Sequence, residues 1–153
     1  MQRRLQGIVS ILTDYDFLPF QADKQLVRKA QELARYRQEK DNYFSFYKWI
    51  IENINYKKAR QYRNSLEVFY AREGICGEQA FLFITFARVV GLQASYVSVV
   101  NDCYGKKVSH ACVSVPGFLV DTSYKKFPVR HKKYSLNSDG EVGQYYQQWR
   151  YGE

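Results

Sequence analysis

Apolar residues recur at helical spacing through the first half of the chain and at alternate positions further on. Between residues 22 and 40, Leu26, Ala30, Leu33, Ala34 and Tyr36 form one stripe, while Lys24, Arg28, Arg35, Arg37 and Lys40 fall elsewhere. That spacing predicts an amphipathic helix. Residues 42 to 54 predict a second helix, with Phe44, Tyr47, Ile50, Ile51 and Ile54 on its apolar face and Trp49 widening it. Lys57 to Arg63 is polar and basic and reads as a loop. Asn64-Ser65-Leu66-Glu67 has capping-box spacing, which predicts a short helix over 65–72.

Residues 74 to 91, GICGEQAFLFITFARVVG, are apolar almost throughout, lie between glycines and carry only Arg88 as a charge in their second half. This is the pattern of a central buried helix. Beyond Gly91 the period becomes two. Strands are predicted over 94–100, 109–115 and 118–123, with turns at 101–107 and Pro116-Gly117. Ala111, Val113 and Val115 share one face of the second strand, and His110, Cys112 and Ser114 share the other. Leu119, Asp121 and Ser123 share a face of the third. Asn137 to Gly140 reads as a turn, and 144–151 as a last strand or short helix. Ile8 to Leu12 is a short apolar piece in an otherwise mixed first twenty residues, expected to pack against the body. Helices followed by a small antiparallel sheet make an α+β fold, read as one domain over 1–153.

Composition narrows the classes. With 153 residues, 46% apolar and 17% aromatic, the chain can bury a real core and is not disordered. No apolar span is long enough to predict a membrane helix, and no secretory leader is read at the start. Cys76, Cys103 and Cys112 cannot all pair within one chain and lack zinc-site spacing, so a reducing, cytoplasmic setting is expected, with no metal or cofactor. The formal charge of +8 leans toward acidic or polyanionic partners. Its basic runs, 57–63 and 125–133, read as a solvated surface or as a polyanion-binding face.

Chemistry enters at Cys76, in the first turn of the predicted central helix. Unpaired amides and the dipole at a helix start favour a thiolate. If the second and third strands are neighbours, His110 and Asp121 can lie side by side, and if their face packs on the helix start, His110 can reach Cys76. A nucleophile, a base and a residue that fixes the base's tautomer would then be assembled. The Cys76 amide and an unidentified side-chain donor would receive the oxyanion. Glu78, third in the helix, reads as a cap on first-turn amides. Arg88 needs an ion-pair partner, near Glu78 or on the Asp121 strand. Cys112 reads as structural, Cys103 as incidental, and His131 as part of the basic tail.

The wording around these residues resembles the transglutaminase-like superfamily of papain-like cysteine enzymes. The resemblance rests on Gly74-Ile75-Cys76-Gly77-Glu78-Gln79-Ala80, on Arg88 to Ala94, on His110-Ala111-Cys112-Val113 and on Phe118 to Ser123. It spans roughly residues 25 to 124, leaving 125–153 as a basic extension. Two positions depart from the family's pattern: Cys112 and Phe118 stand where tryptophan is usual. The resemblance implies a papain-like core, a helix packed on a small sheet, and a triad of Cys76, His110 and Asp121. It also implies attack on an amide through a thioester. Members include proteases, crosslinking transglutaminases and peptide:N-glycanases, and some have lost activity. The expectation is a thiol-dependent hydrolase, a peptidase or amidase acting on a peptide or protein. Its alternatives are a protein-glutamine acyltransferase with the same triad and an idle polyanion- or protein-binding module.

Overall fold

The structure, a computed structural model, describes residues 17–152; the apolar piece at Ile8 to Leu12 lies outside them. Four helices come first: α1 (Lys24–Leu33), α2 (Glu39–Asn53), α3 (Ser65–Ala71) and α4 (Cys76–Val89). Strands β1 (Ser95–Asn101), β2 (Lys107–Val115), β3 (Phe118–Val120) and β4 (Lys133–Asn137) follow, and α5 (Asp139–Tyr151) comes last. The sheet is antiparallel in the order β3-β2-β1-β4. This is the α+β arrangement expected, with a buried helix against a small sheet.

Local chemistry sets the helix ends. Asp23 starts α1 by accepting the Leu26 amide at 2.9 Å. The helix stops at Leu33, short of the predicted residue 40, because the Asn42 side chain takes both the Tyr36 N–H and C=O, at 2.9 and 3.0 Å. With its backbone bound there, Tyr36 cannot extend the helical ladder. Asn64 and Glu67 form the expected capping box on α3, each side chain meeting the other's amide at 2.9 Å.

Helix α4 is buried from Gly77 to Ala87. Phe81, Phe83 and Phe86 meet the rings of Tyr43, Phe46, Trp49 and Phe69 from the other helices and of Phe20 from the segment before α1. Its opposite side rests on Ala111, Val113, Val115 and Val120 of the sheet. A second apolar cluster, Val97, Val99, Cys112, Leu119 and Val129, fills the other face of the sheet.

The C-terminal part differs most from the sequence reading. Residues 133–137 are a strand that pairs with β1, an element the sequence reading did not expect. Asn137 to Gly140 is a helix start: Ser138 and Glu141 cap α5 reciprocally, at 3.2 and 2.9 Å. The stretch at 144–151 is the body of that helix. Arg88 finds its ion-pair partner here. It grips Asp139 with both guanidinium nitrogens, at 2.7 and 2.9 Å, rather than a group near Glu78 or on the Asp121 strand.

Candidate active site

Cys76 opens α4 beside a network that holds the helix start rigid. Glu78 accepts the Ile75 amide at 2.9 Å, as its position in the helix suggested. The same carboxylate accepts the Arg63 amide at 2.6 Å and two Arg63 guanidinium N–H groups at 3.2 Å, with both residues buried. Arg63 therefore belongs to the interior rather than to a solvated basic loop. Gln79 donates to the Gly74 carbonyl at 2.8 Å and accepts the Thr122 hydroxyl at 2.6 Å. That side chain ties the turn before Cys76 to the segment after Asp121. Gly77 has no room for a side chain, since a Cβ there would run into the Tyr62 hydroxyl and lie 3.0 Å from that of Tyr96.

His110 and Asp121 come together from β2 and the end of β3. His110 Nε2 donates to Asp121 Oδ2 at 2.8 Å, which leaves Nδ1 for the sulfur. The predicted third strand ends at Val120, so Asp121 stands just past it and accepts the Ser123 amide on Oδ1 at 2.9 Å.

The route from His110 to Cys76 differs from the one expected. The body of α4 lies on the Ala111/Val113/Val115 face of the sheet, not on the His110/Cys112 face. The meeting is made at the sheet's rim. β3 spans three residues and stops with Val120 opposite Val113, so it does not cover the backbone of β2 at Ala111. There the Ala111 amide and the His110 ring both act on the Cys76 sulfur.

The electrostatics follow from these contacts. Burial would raise the Cys76 thiol, but hydrogen bonds from His110, the Ala111 amide and the Tyr56 hydroxyl bring it below its ordinary value. Burial also disfavours a charged ring at His110. Hydrogen bonds to Asp121 and Cys76 outweigh it and hold the imidazolium up to about 10. The pair thus favours thiolate and imidazolium. Cys112 is the contrast: buried, and near the Asp121 charge, it is pushed well up and stays a thiol.

Two depressions flank the sulfur and the ring. One, of about 520 Å³, is lined by Cys76, His110, Tyr62, Tyr96, Val100 and Trp149, among others. The other, of about 920 Å³, lies toward Tyr47, Tyr56, Thr122 and Lys125, with His110 again in its wall. Trp149 comes from α5, so the last helix helps to wall the site.

The model of the Transglutaminase-like superfamily matches residues 24–124. The chain belongs to the transglutaminase-like superfamily. No curated protein matches. Among solved structures, the chain is similar to one from Cytophaga hutchinsonii described as a candidate cysteine protease. That likeness has a TM-score of 0.59 at 17% identity, covering 72% of this chain and 42% of the other, so it speaks for the fold. The span of this superfamily match contains Cys76, His110 and Asp121.

Beyond that span lies a residue that the sequence reading set aside. His131, assigned to the basic tail, is buried and brings Nε2 within 2.7 Å of Asp121 Oδ2. Both histidines of the chain therefore meet on one carboxylate oxygen. The sequence held one signal of this, a second imidazole ten residues after Asp121. Among the described residues, His110, Asp121 and His131 also form a group able to face a cation, with ligand-type atoms within 4.8 Å. At 2.7 and 2.8 Å, however, the ring nitrogens stand at hydrogen-bond distance from Oδ2. The Tyr56 hydroxyl, on the sulfur, is the second group that sequence reasoning missed. Among the described residues, no helix is long and apolar enough to cross a membrane.

Proposed function

We propose that the protein is a cysteine hydrolase that cleaves an amide bond in a peptide or protein, with Cys76 as nucleophile, His110 as acid and base, and Asp121 orienting His110. The observation that carries this reading is the grouping of the three side chains: Cys76 and His110 share the wall of one depression and interact there, and His110 is hydrogen-bonded to Asp121 at 2.8 Å.

The chemistry follows from the charges. The Cys76 thiolate attacks the amide carbonyl carbon, and the C=O π electrons move to oxygen. The Cys76 amide, at the start of α4, and the Tyr56 hydroxyl are assigned as the donors to that oxyanion. When the C–N bond breaks, the His110 imidazolium gives its proton to the departing amine and an acyl thioester remains. Neutral His110 then takes a proton from water. The hydroxide adds to the thioester, the C–S bond breaks, and a carboxylic acid leaves. Asp121 holds the ring so that Nδ1 faces sulfur throughout. An amine entering through the larger depression could replace water, which would give acyl transfer from the same intermediate.

Labelling with iodoacetamide across pH, with the modified cysteine assigned by mass spectrometry, tests the reading. Cys76 is expected to react below the ordinary thiol range and well ahead of Cys103 and Cys112. Turnover of a peptide substrate is expected to be bell-shaped. It falls at low pH as the thiolate is protonated, and at high pH as the imidazolium is lost near 10. Equal, slow labelling of all three cysteines would remove the enzymatic reading. Release of a carboxylate with and without added amine separates hydrolysis from transfer.

A further inference from the structure

We propose that His131 is a positioning residue of this site: it anchors Asp121 through the same carboxylate oxygen that takes His110, and so fixes the ring that serves Cys76. The inference rests on the hydrolase reading, in which Cys76 and His110 do the chemistry.

The protons can be assigned from the contacts. Asp121 Oδ2 lies 2.7 Å from His131 Nε2 and 2.8 Å from His110 Nε2. A carboxylate oxygen and an imidazole lone pair would repel at that separation, so each ring directs an N–H at Oδ2. With the Ser123 amide on Oδ1, the carboxylate accepts three N–H donors and has no free rotation left. His131 Nδ1 is buried without a partner. A bare lone pair there suits a ring whose proton is on Nε2.

His131 is itself firmly held. The Val129 amide bonds the Leu119 carbonyl at 3.1 Å, and the Lys132 amide bonds that of Asn101 at 3.0 Å, so backbone ladders brace it on both sides. The Tyr124 ring packs edge-on at 5.0 Å, and its hydroxyl donates to Asp102 at 2.9 Å. The His131 side chain is wholly buried and lines neither depression beside Cys76. Its residue lines a third depression, of about 530 Å³ beside Phe118 and Tyr134, but at Cys76 its influence runs through Asp121.

Without His131, Oδ2 keeps one partner, and the carboxylate can turn away from His110. The second-order rate of Cys76 alkylation by iodoacetamide at pH 7 reads the result. His131→Phe is expected to slow it by on the order of 10- to 100-fold, the effect of losing a hydrogen bond to a charged group. His131→Gln, whose amide N–H can reach toward Oδ2, is expected to recover most of the loss. In an Asp121→Asn background, His131→Phe is expected to add nothing, because the two act as one unit. Wild-type rates in His131→Phe, or equal costs in both backgrounds, would overturn the proposal. Should the Phe variant not fold, nitrogen-15 NMR of the wild-type imidazoles decides. A proton on His131 Nε2 whose signal moves in Asp121→Asn supports the assignment, and a bare Nε2 overturns it. If wild-type Cys76 labels no faster than Cys103 and Cys112, the hydrolase reading itself fails. A fast wild type with an indifferent His131→Phe sinks only the role of His131.

Discussion

The two ends of α4 are each held by an arginine gripping a carboxylate, and the two grips do different work. At the start, Glu78 and Arg63 are 1% and 8% exposed, and the carboxylate also satisfies the Ile75 and Arg63 amides. At the exit, Arg88 and Asp139 hold each other with side chains 27% and 43% exposed. The inner pair is part of the scaffold that aims Cys76. Losing its carboxylate leaves two amides stranded away from water and Arg63 held only by Glu73 and the Lys57 carbonyl. The outer pair fastens the start of α5 in partly wet surroundings, where screening weakens it.

Substitutions at the two ends should separate along that line. Cys76→Ala is expected to cost at least about 10³-fold in peptide turnover while leaving the thermal unfolding midpoint nearly unchanged. An intact rate would move the chemistry elsewhere. Glu78→Ala strands the Ile75 and Arg63 amides and leaves the Arg63 guanidinium only Glu73 and the Lys57 carbonyl, and is expected to destabilise by about 2–4 kcal/mol in urea titration. A cost below 1 kcal/mol would make the inner pair no different from the outer one. Gly77→Ala drives a methyl into the Tyr62 and Tyr96 hydroxyls, for about 1–3 kcal/mol. Adding Tyr62→Phe should recover part of that, and a double variant no better than the single would put the strain elsewhere. Arg88→Ala is expected to cost about 1 kcal/mol or less from the ion pair, with some packing over the Phe20 ring lost besides, and to leave Cys76 labelling at the wild-type rate. Slowed labelling would tie the exit to the site.

The elements that frame this contrast were visible in the residues, though neither pairing was. The apolar run from Cys76 to Val89 had to be buried, and the glycines around it marked its limits. Alternation located β1 and β2, and the Pro116-Gly117 turn made His110 and Asp121 neighbours. What stayed hidden has physical causes. β4, KYSLN, is an edge strand with four exposed residues out of five, so no buried face forces an alternating pattern. The capping box of Ser138 and Glu141 precedes a helix with two glycines in its first turns, and their turn signal masked it. Alternation marked Ala111, Val113 and Val115 as the apolar face of β2, yet a route from His110 to Cys76 called for the other face, and the meeting at the rim depends on how short β3 is. His131 carries no mark beyond its spacing of ten residues from Asp121, because its reason for burial is a carboxylate brought near by tertiary structure. The partner of Arg88 was equally remote, 51 residues along the chain.

The strand order has a consequence for where the molecule can be cut. β4 comes from residues 133–137, beyond the span that matches the superfamily, yet it is hydrogen-bonded along β1. A fragment ending at residue 124 would keep Cys76, His110 and Asp121 and still be an incomplete object. One side of β1 would be an open ladder of amides and carbonyls, ready to recruit the same edge of another copy. The stretch that defines kinship is therefore shorter than the stretch that makes a stable solute. Trimming to the matched span should yield aggregates rather than a smaller folded unit.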